Sequence, residues 1–160
     1  MELAFTIAAV GFGATLILDL WSLLLTALGA PFPNYTLIGR WIGHFSRGRF
    51  THAQPVALAP AIAGERLIGW TTHYVIGILY AELLVALVGS SWLSAPTVLP
   101  ALIFGLGTVV APFFVMQPAM GLGIASSRTP QPTIARLKSL AAHTVFGLGL
   151  YFSARVIASN

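Results

Sequence analysis

His73 and His143 each stand four residues before a glycine in two separate apolar stretches, and Asp19 lies within a third. Gln117, followed by Pro118, is a fourth polar group inside an apolar run. Ionisable groups in hydrocarbon are expensive, and they usually mark a polar pathway or a ligand site. Imidazole titrates near neutrality, so with Asp19 as a charged acceptor the two histidines can relay protons. Alternatively, His73 and His143 can ligate a haem or a metal ion from two helices, with the glycines clearing room for a flat ring. In a third reading these groups only hydrogen-bond across helices and hold them together, at about 0.6 kcal/mol per contact. Tyr74, Tyr80, Thr72 and Thr144 add hydroxyls to the same constellation.

The elements that position these groups follow from composition. The chain has 160 residues, 57% hydrophobic and 8% charged, against about 25% charged in soluble domains. Such a chain cannot cover a water-facing surface, so the lipid bilayer is its expected partner. Runs of roughly 20 apolar residues read as spanning helices, whereas a barrel would show alternating strands of about 10. The expected fold is all-α: one transmembrane domain over 1–160, a four-helix bundle with spans at about 3–29, 65–89, 98–124 and 133–158. With a rise of about 1.5 Å per residue, Asp19, His73, Gln117 and His143 fall roughly 7–15 Å from one end of their spans. All four spans thus contribute to one expected polar layer.

Seven of the eight basic residues flank two of the connections: Arg40, Arg47, Arg49 and Arg66 the first, Arg128, Arg136 and Lys138 the other. By the positive-inside rule both connections are cytoplasmic, and both termini lie outside. This explains the pI near 10.1 without nucleic acid, which is not an expected partner. Trp41 and Trp92 fit interfacial anchors. Without cysteine, disulfides, thiol redox chemistry and Cys-ligated metals are excluded. No nucleophile motif or phosphate loop occurs, and with four acidic residues an enzyme is the less favoured class.

The first cytoplasmic connection holds Leu37, Ile38, Trp41, Ile42 and Phe45 at helical spacing, with Arg40, His44 and Arg47 elsewhere around the turn. This predicts an amphipathic inner-surface segment over about 34–50, with Asn34 as N-cap. It serves as a packing lid or a gate. Glu65-Arg66 reads as a solvated helix start, Glu82 as a partner for Arg155, and Met116 and Met120 as packing.

His73-Tyr-Val-Ile-Gly77 echoes His143-Thr-Val-Phe-Gly147 at a separation of 70 residues, and Gly11-Phe-Gly13-Ala-Thr15 echoes Gly105-Leu-Gly107-Thr108. The two echoes point to a duplicated helical hairpin with parallel repeats, an arrangement known in transporters.

The run Gly69-Trp70-Thr71-Thr72-His73-Tyr74-Val75-Ile76-Gly77, with Gly11–Thr15, Asp19-Leu-Trp21 and Gln117-Pro118-Ala-Met-Gly121, resembles a family of small bacterial inner-membrane proteins with a domain of unknown function. The resemblance covers nearly the whole chain. It implies a multi-span protein of the bacterial inner membrane and carries over no catalytic residue. The expected function is therefore binding or conduction of a polar species, a proton, ion or small solute, through Asp19, His73, Gln117 and His143. The alternatives are a haem- or metal-binding redox subunit and a structural subunit of a larger membrane complex. A bundle of this size encloses little volume, so a path calls for a homo-oligomer or a membrane partner.

Overall fold

The computed structural model describes residues 2–159, and every regular element among them is helical. The main helices are α1 (Glu2–Ala27), α2 (Tyr35–Gly43), α3 (Glu65–Val88), α4 (Val98–Ala119) and α5 (Pro132–Ala158). All except α2 are long and apolar enough to cross a membrane. At most 28% of the most apolar window of any span is buried. Phe5, Leu24, Leu67, Leu87 and Phe152 are among the large apolar residues left exposed on the spans, which suits a lipid surround.

Three spans keep the expected limits to within two residues. α4 stops at Ala119 rather than near 124. It is α-helical over Val98–Gly107, π-helical over Pro112–Met116 and α-helical again for a last turn at Gln117–Ala119. Pro112 and Pro118 have no amide proton to give the ladder. Gly121 then turns the chain at φ +80°, a conformation glycine adopts without steric cost.

The contacts divide the chain into two compact units. The first comprises residues 2–33, 74–108 and 141–159, and its core includes Val10, Ala14, Ala81, Leu84, Ala101 and Leu150. Its helices approach through glycines. A Cβ on Gly11 would strike Gly77 and Ile78 backbone, and one on Gly105 would strike Gly147 backbone. These are the glycines of the two sequence echoes, used in corresponding pairs: first span with second, third with fourth. The echo also extends to Arg66-Leu67 and Arg136-Leu137, at the same spacing of 70. Both features support the duplicated hairpin. Trp92, expected as an interfacial anchor, is instead 6% exposed in this core. Its indole N–H donates to the Thr97 carbonyl at 3.2 Å, which folds the connection before α4 back on itself.

The second unit comprises residues 34–73 and 109–140. Here α2 crosses the start of α3 through another glycine pair. A Cβ on Gly39 would meet the Glu65 carbonyl and the Gly69 amide, and one on Gly69 would meet the Tyr35 carbonyl. Asn34 occupies the N-cap position of α2 but makes no side-chain cap bond. Its carbonyl instead accepts from Leu37 N–H at 3.1 Å. Beyond α2 and a 3-10 turn over His44–Arg47, residues 48–64 form a strap. His52 N–H donates to Ala119 O at 2.8 Å, and Val56 N–H to Met120 O at 2.9 Å. In the connection before α5, Ala125 and Ser126 hold left-handed φ values of 47° and 58°. Such conformations cost on the order of 1–3 kcal/mol each and persist only where neighbours over-determine them. Arg136 Nε donates to Ala125 O, and the Thr129 hydroxyl to Ser126 O, both at 2.8 Å.

Candidate functional site

The hydroxyls of α1 show how a span carries polar groups at no cost to its neighbours. Thr15, Ser22 and Thr26 each donate to the carbonyl four residues back, at 2.8–2.9 Å, a bond that satisfies the hydroxyl within its own helix. Asp19 cannot do this, because a carboxylate has no proton to give a carbonyl. It is 6% exposed and accepts from the Tyr74 hydroxyl of α3 at 2.9 Å. The close Gly11–Gly77 crossing holds the two helices near enough for this bond. The Tyr74 ring also lies 4.9 Å from that of Phe12.

His143 is in the same unit, with Nδ1 2.7 Å from the Thr108 hydroxyl. Thr108 has one proton and donates it to Gly105 O at 2.5 Å. Its oxygen is therefore the acceptor and His143 Nδ1–H the donor, which leaves His143 Nε2 unprotonated in the neutral ring. Tyr80 lies edge-on to Phe104 and Phe146, with centroids 6.2 and 6.0 Å away, so its ring belongs to an aromatic cluster of the core.

His73 and Gln117 belong to the second unit. The His73 ring stacks on Tyr35 at 3.9 Å and 20° and meets Trp70 edge-on at 6.1 Å. Gln117, 6% exposed, follows the π-helical stretch directly. Such stretches are frequent at functional sites. Its Nε2 reaches Ser139 Oγ at 3.5 Å, while Oε1 is buried with no partner. Each of the four sequence-selected groups thus has a partner within its own unit, and one of those partners, Tyr74, was itself a selected residue.

The glycines near the histidines do not clear room for a flat ring. Gly69 is filled by α2 backbone, Gly77 by Thr15 and Gly11 of α1, and Gly147 by Ala101, Leu102 and Gly105 of α4. Their role is helix approach, the other half of the small-residue logic. Glu82 and Arg155 are exposed and form no ion pair. Among the described residues the ion pair is Arg40–Glu65, at 2.8 Å.

That pair corrects the reading of Glu65 as a solvated helix start. Arg40 Nε and Nη2 each donate to a Glu65 oxygen at 2.8 Å, and Ile62 N–H donates to Oε2 at 2.9 Å. Arg40 Nη1 also donates to Ala57 O and Ala59 O at 3.0 and 3.1 Å. The hydrogen bond to Glu65 raises the Arg40 pKa above its ordinary value. The polar side of the amphipathic segment therefore faces protein: His44, four residues after Arg40, is 1% exposed and bonded to His52 at 2.8 Å. The shared helical face of Arg40 and His44 was a visible signal for an inward polar stripe. Nothing local marked Glu65 or His52 as the partners.

The architecture is that of a small helical membrane protein with four spans, three of which carry buried polar side chains. A family model described as "Protein of unknown function (DUF2938)" matches residues 8–157, nearly the whole chain, and the chain belongs to that family. No curated protein and no solved structure matches it.

Proposed function

We propose that this protein lies in a bacterial inner membrane with both termini outside, and binds or conducts a polar species, a proton or a small solute, through Asp19, His73, Gln117 and His143. The observation that carries this reading is Asp19, a buried carboxyl in an apolar span held by a phenol from another helix. Hydroxyls satisfied within α1 show that the span accommodates polar atoms without a carboxyl. Keeping one in hydrocarbon costs about 2.5–3.5 kcal/mol on insertion scales, so a task that needs its charge or basicity is the physical reason for its presence. The unpartnered oxygen of Gln117, after a broken helix, supports the same reading, since irregular backbone at membrane depth is tolerated where it is buried in protein or lines a polar cavity. Orientation rests on the seven basic residues of the two inner connections, and a homo-oligomer or partner supplies the remaining wall of the path.

Proton flux into potassium-loaded proteoliposomes, driven by valinomycin and read by an internal pH dye, tests this. Asp19→Asn is expected to reduce the protein-dependent flux at least about tenfold, the scale of one lost unit of differential binding. Tyr74→Phe, which keeps the ring and the carboxyl, is expected to reduce it less. Flux in the wild type no greater than in empty liposomes, or unchanged in Asp19→Asn, removes the conduction reading.

A further inference from the structure

The His44 ring is engaged at both nitrogens. Its Nε2 lies 3.1 Å from the Pro60 carbonyl oxygen, and its Nδ1 lies 2.8 Å from His52 Nε2. A carbonyl only accepts, so the His44 proton is on Nε2. His44 Nδ1 is then an acceptor, and His52 Nε2–H is the donor that fills it. This leaves His52 Nδ1 as a bare lone pair, buried and without a partner. In the neutral state each N–H in the chain from His52 to Pro60 has its acceptor, and one acceptor is left over.

We propose that the His44–His52 pair is a proton-operated latch, which fixes the inner strap when neutral and releases it when charged. A proton on His44 Nδ1 sets two N–H groups against each other, because His52 Nε2 already carries one. A proton on His52 Nδ1 creates a cation with no acceptor in a buried position. The first breaks the bond between the rings, and the second keeps it only with a buried charge and an N–H that has no acceptor, so both penalise the latched arrangement.

The surroundings add little compensation, since the one carboxylate that couples to a His44 charge, Glu65, is already engaged. Arg47 and Arg49 act on His44 from its own segment. From α2 comes Arg40, and from α3 comes Glu65, whose carboxylate is taken by Arg40 and the Ile62 amide. The end of α4 contributes the Ala119 and Met120 carbonyls, both occupied by strap amides. Burial first, then His52, hold the His44 imidazole below its ordinary value, against the opposing pull of the Pro60 carbonyl. The sign follows: the unfolded or released ring takes a proton below about pH 6.5, whereas the latched ring resists it. Latch stability is therefore full above that value and is lost as pH falls below it. The strap it secures is bonded to Ala119 and Met120, two and three residues after Gln117. The latch thus controls the backbone at the end of the broken span, whatever passes or binds there.

The readout is mechanical and independent of transport, so its failure is distinguishable from failure of the solute reading. The chain has no cysteine, and Ala61, next to Pro60, is exposed. A nitroxide on Ala61→Cys, in the full chain in lipid nanodiscs, is expected to be immobilised at about pH 8 and mobile below about pH 6, reversibly. His52→Gln keeps an N–H for His44 Nδ1 but cannot gain a proton at the other position. It is expected to abolish the transition or lower its midpoint by about one unit or more. A line shape that does not change with pH, or a transition unaltered in His52→Gln, overturns the latch. Should His52→Gln not fold, nitrogen-15 histidine spectra of the wild type decide. His52 Nδ1 is expected to be unprotonated at high pH and the pair to gain protons over the range in which the label becomes mobile. Protonation over a different range overturns the proposal.

Discussion

Gly39→Ala is expected to lower the unfolding free energy of the protein in mixed micelles by about 3 kcal/mol, the upper part of the range for overpacked sites. The added Cβ meets the Glu65 carbonyl and the Gly69 amide, which are backbone atoms of α3 and cannot rotate away as a side chain end would. Relief requires α2 to withdraw, and withdrawal lengthens the Arg40–Glu65 bonds formed at 2.8 Å. The effect is therefore larger than one steric contact. Gly107→Ala is the control: its Cβ would meet nothing within 4 Å. That substitution is expected to be neutral or stabilising by up to about 1 kcal/mol, because alanine fixes less chain entropy in a helix than glycine does. Equal losses in the two variants would show that the crossing is not what makes Gly39 necessary.

The spans were legible because their signal is redundant. About 20 apolar residues in a row identify a crossing helix whichever of them packs inward, and three spans ended where glycine or proline marked them. α4 shows what that signal lacks. Apolar residues continue past Ala119, but Pro112 and Pro118 change which backbone groups are free to bond, and hydropathy does not register hydrogen bonds. The polar groups divide similarly. Asp19, Tyr74, Gln117 and His143 stood out because a polar atom in an apolar run is conspicuous. Their partners, Thr108 and Ser139, are types too common in membrane helices to be conspicuous. The His44–His52 bond depends on a 3-10 turn followed by Gly48 at φ +68°, a local reversal that a period of 3.6 does not anticipate. The sequence places His44 off the apolar stripe of α2, and a single stripe gives no sign of a second buried side. The Gly39–Gly69 crossing instead seats the helix on backbone, which lets its polar residues face inward.

Arg40→Ala is expected to destabilise the protein by about 3 kcal/mol, the lower end of the range for breaking a buried pair, since the Arg40 and Glu65 side chains retain 16% and 15% of their exposure. The loss is greater than that of a surface pair, typically about 0.2–1 kcal/mol, because one guanidinium on α2 serves two other segments. It donates twice to Glu65 at the start of α3 and once each to Ala57 and Ala59 of the strap. Truncation leaves a carboxylate with the Ile62 amide alone and strands two strap carbonyls. Arg40→Lys keeps the charge but cannot present a planar fork, so it cannot hold Glu65 and both carbonyls together. It is expected to recover only part of the loss. A double-mutant cycle separates the two contributions. Glu65→Ala in the Arg40→Ala background should cost much less than Glu65→Ala alone if the ion pair dominates, and nearly as much if the strap carbonyls dominate. Because the strap also carries Pro60, the acceptor of His44, Arg40→Ala should in addition raise the pH at which a label at position 61 becomes mobile, since the histidine pair then holds that part of the strap without the Arg40 bonds.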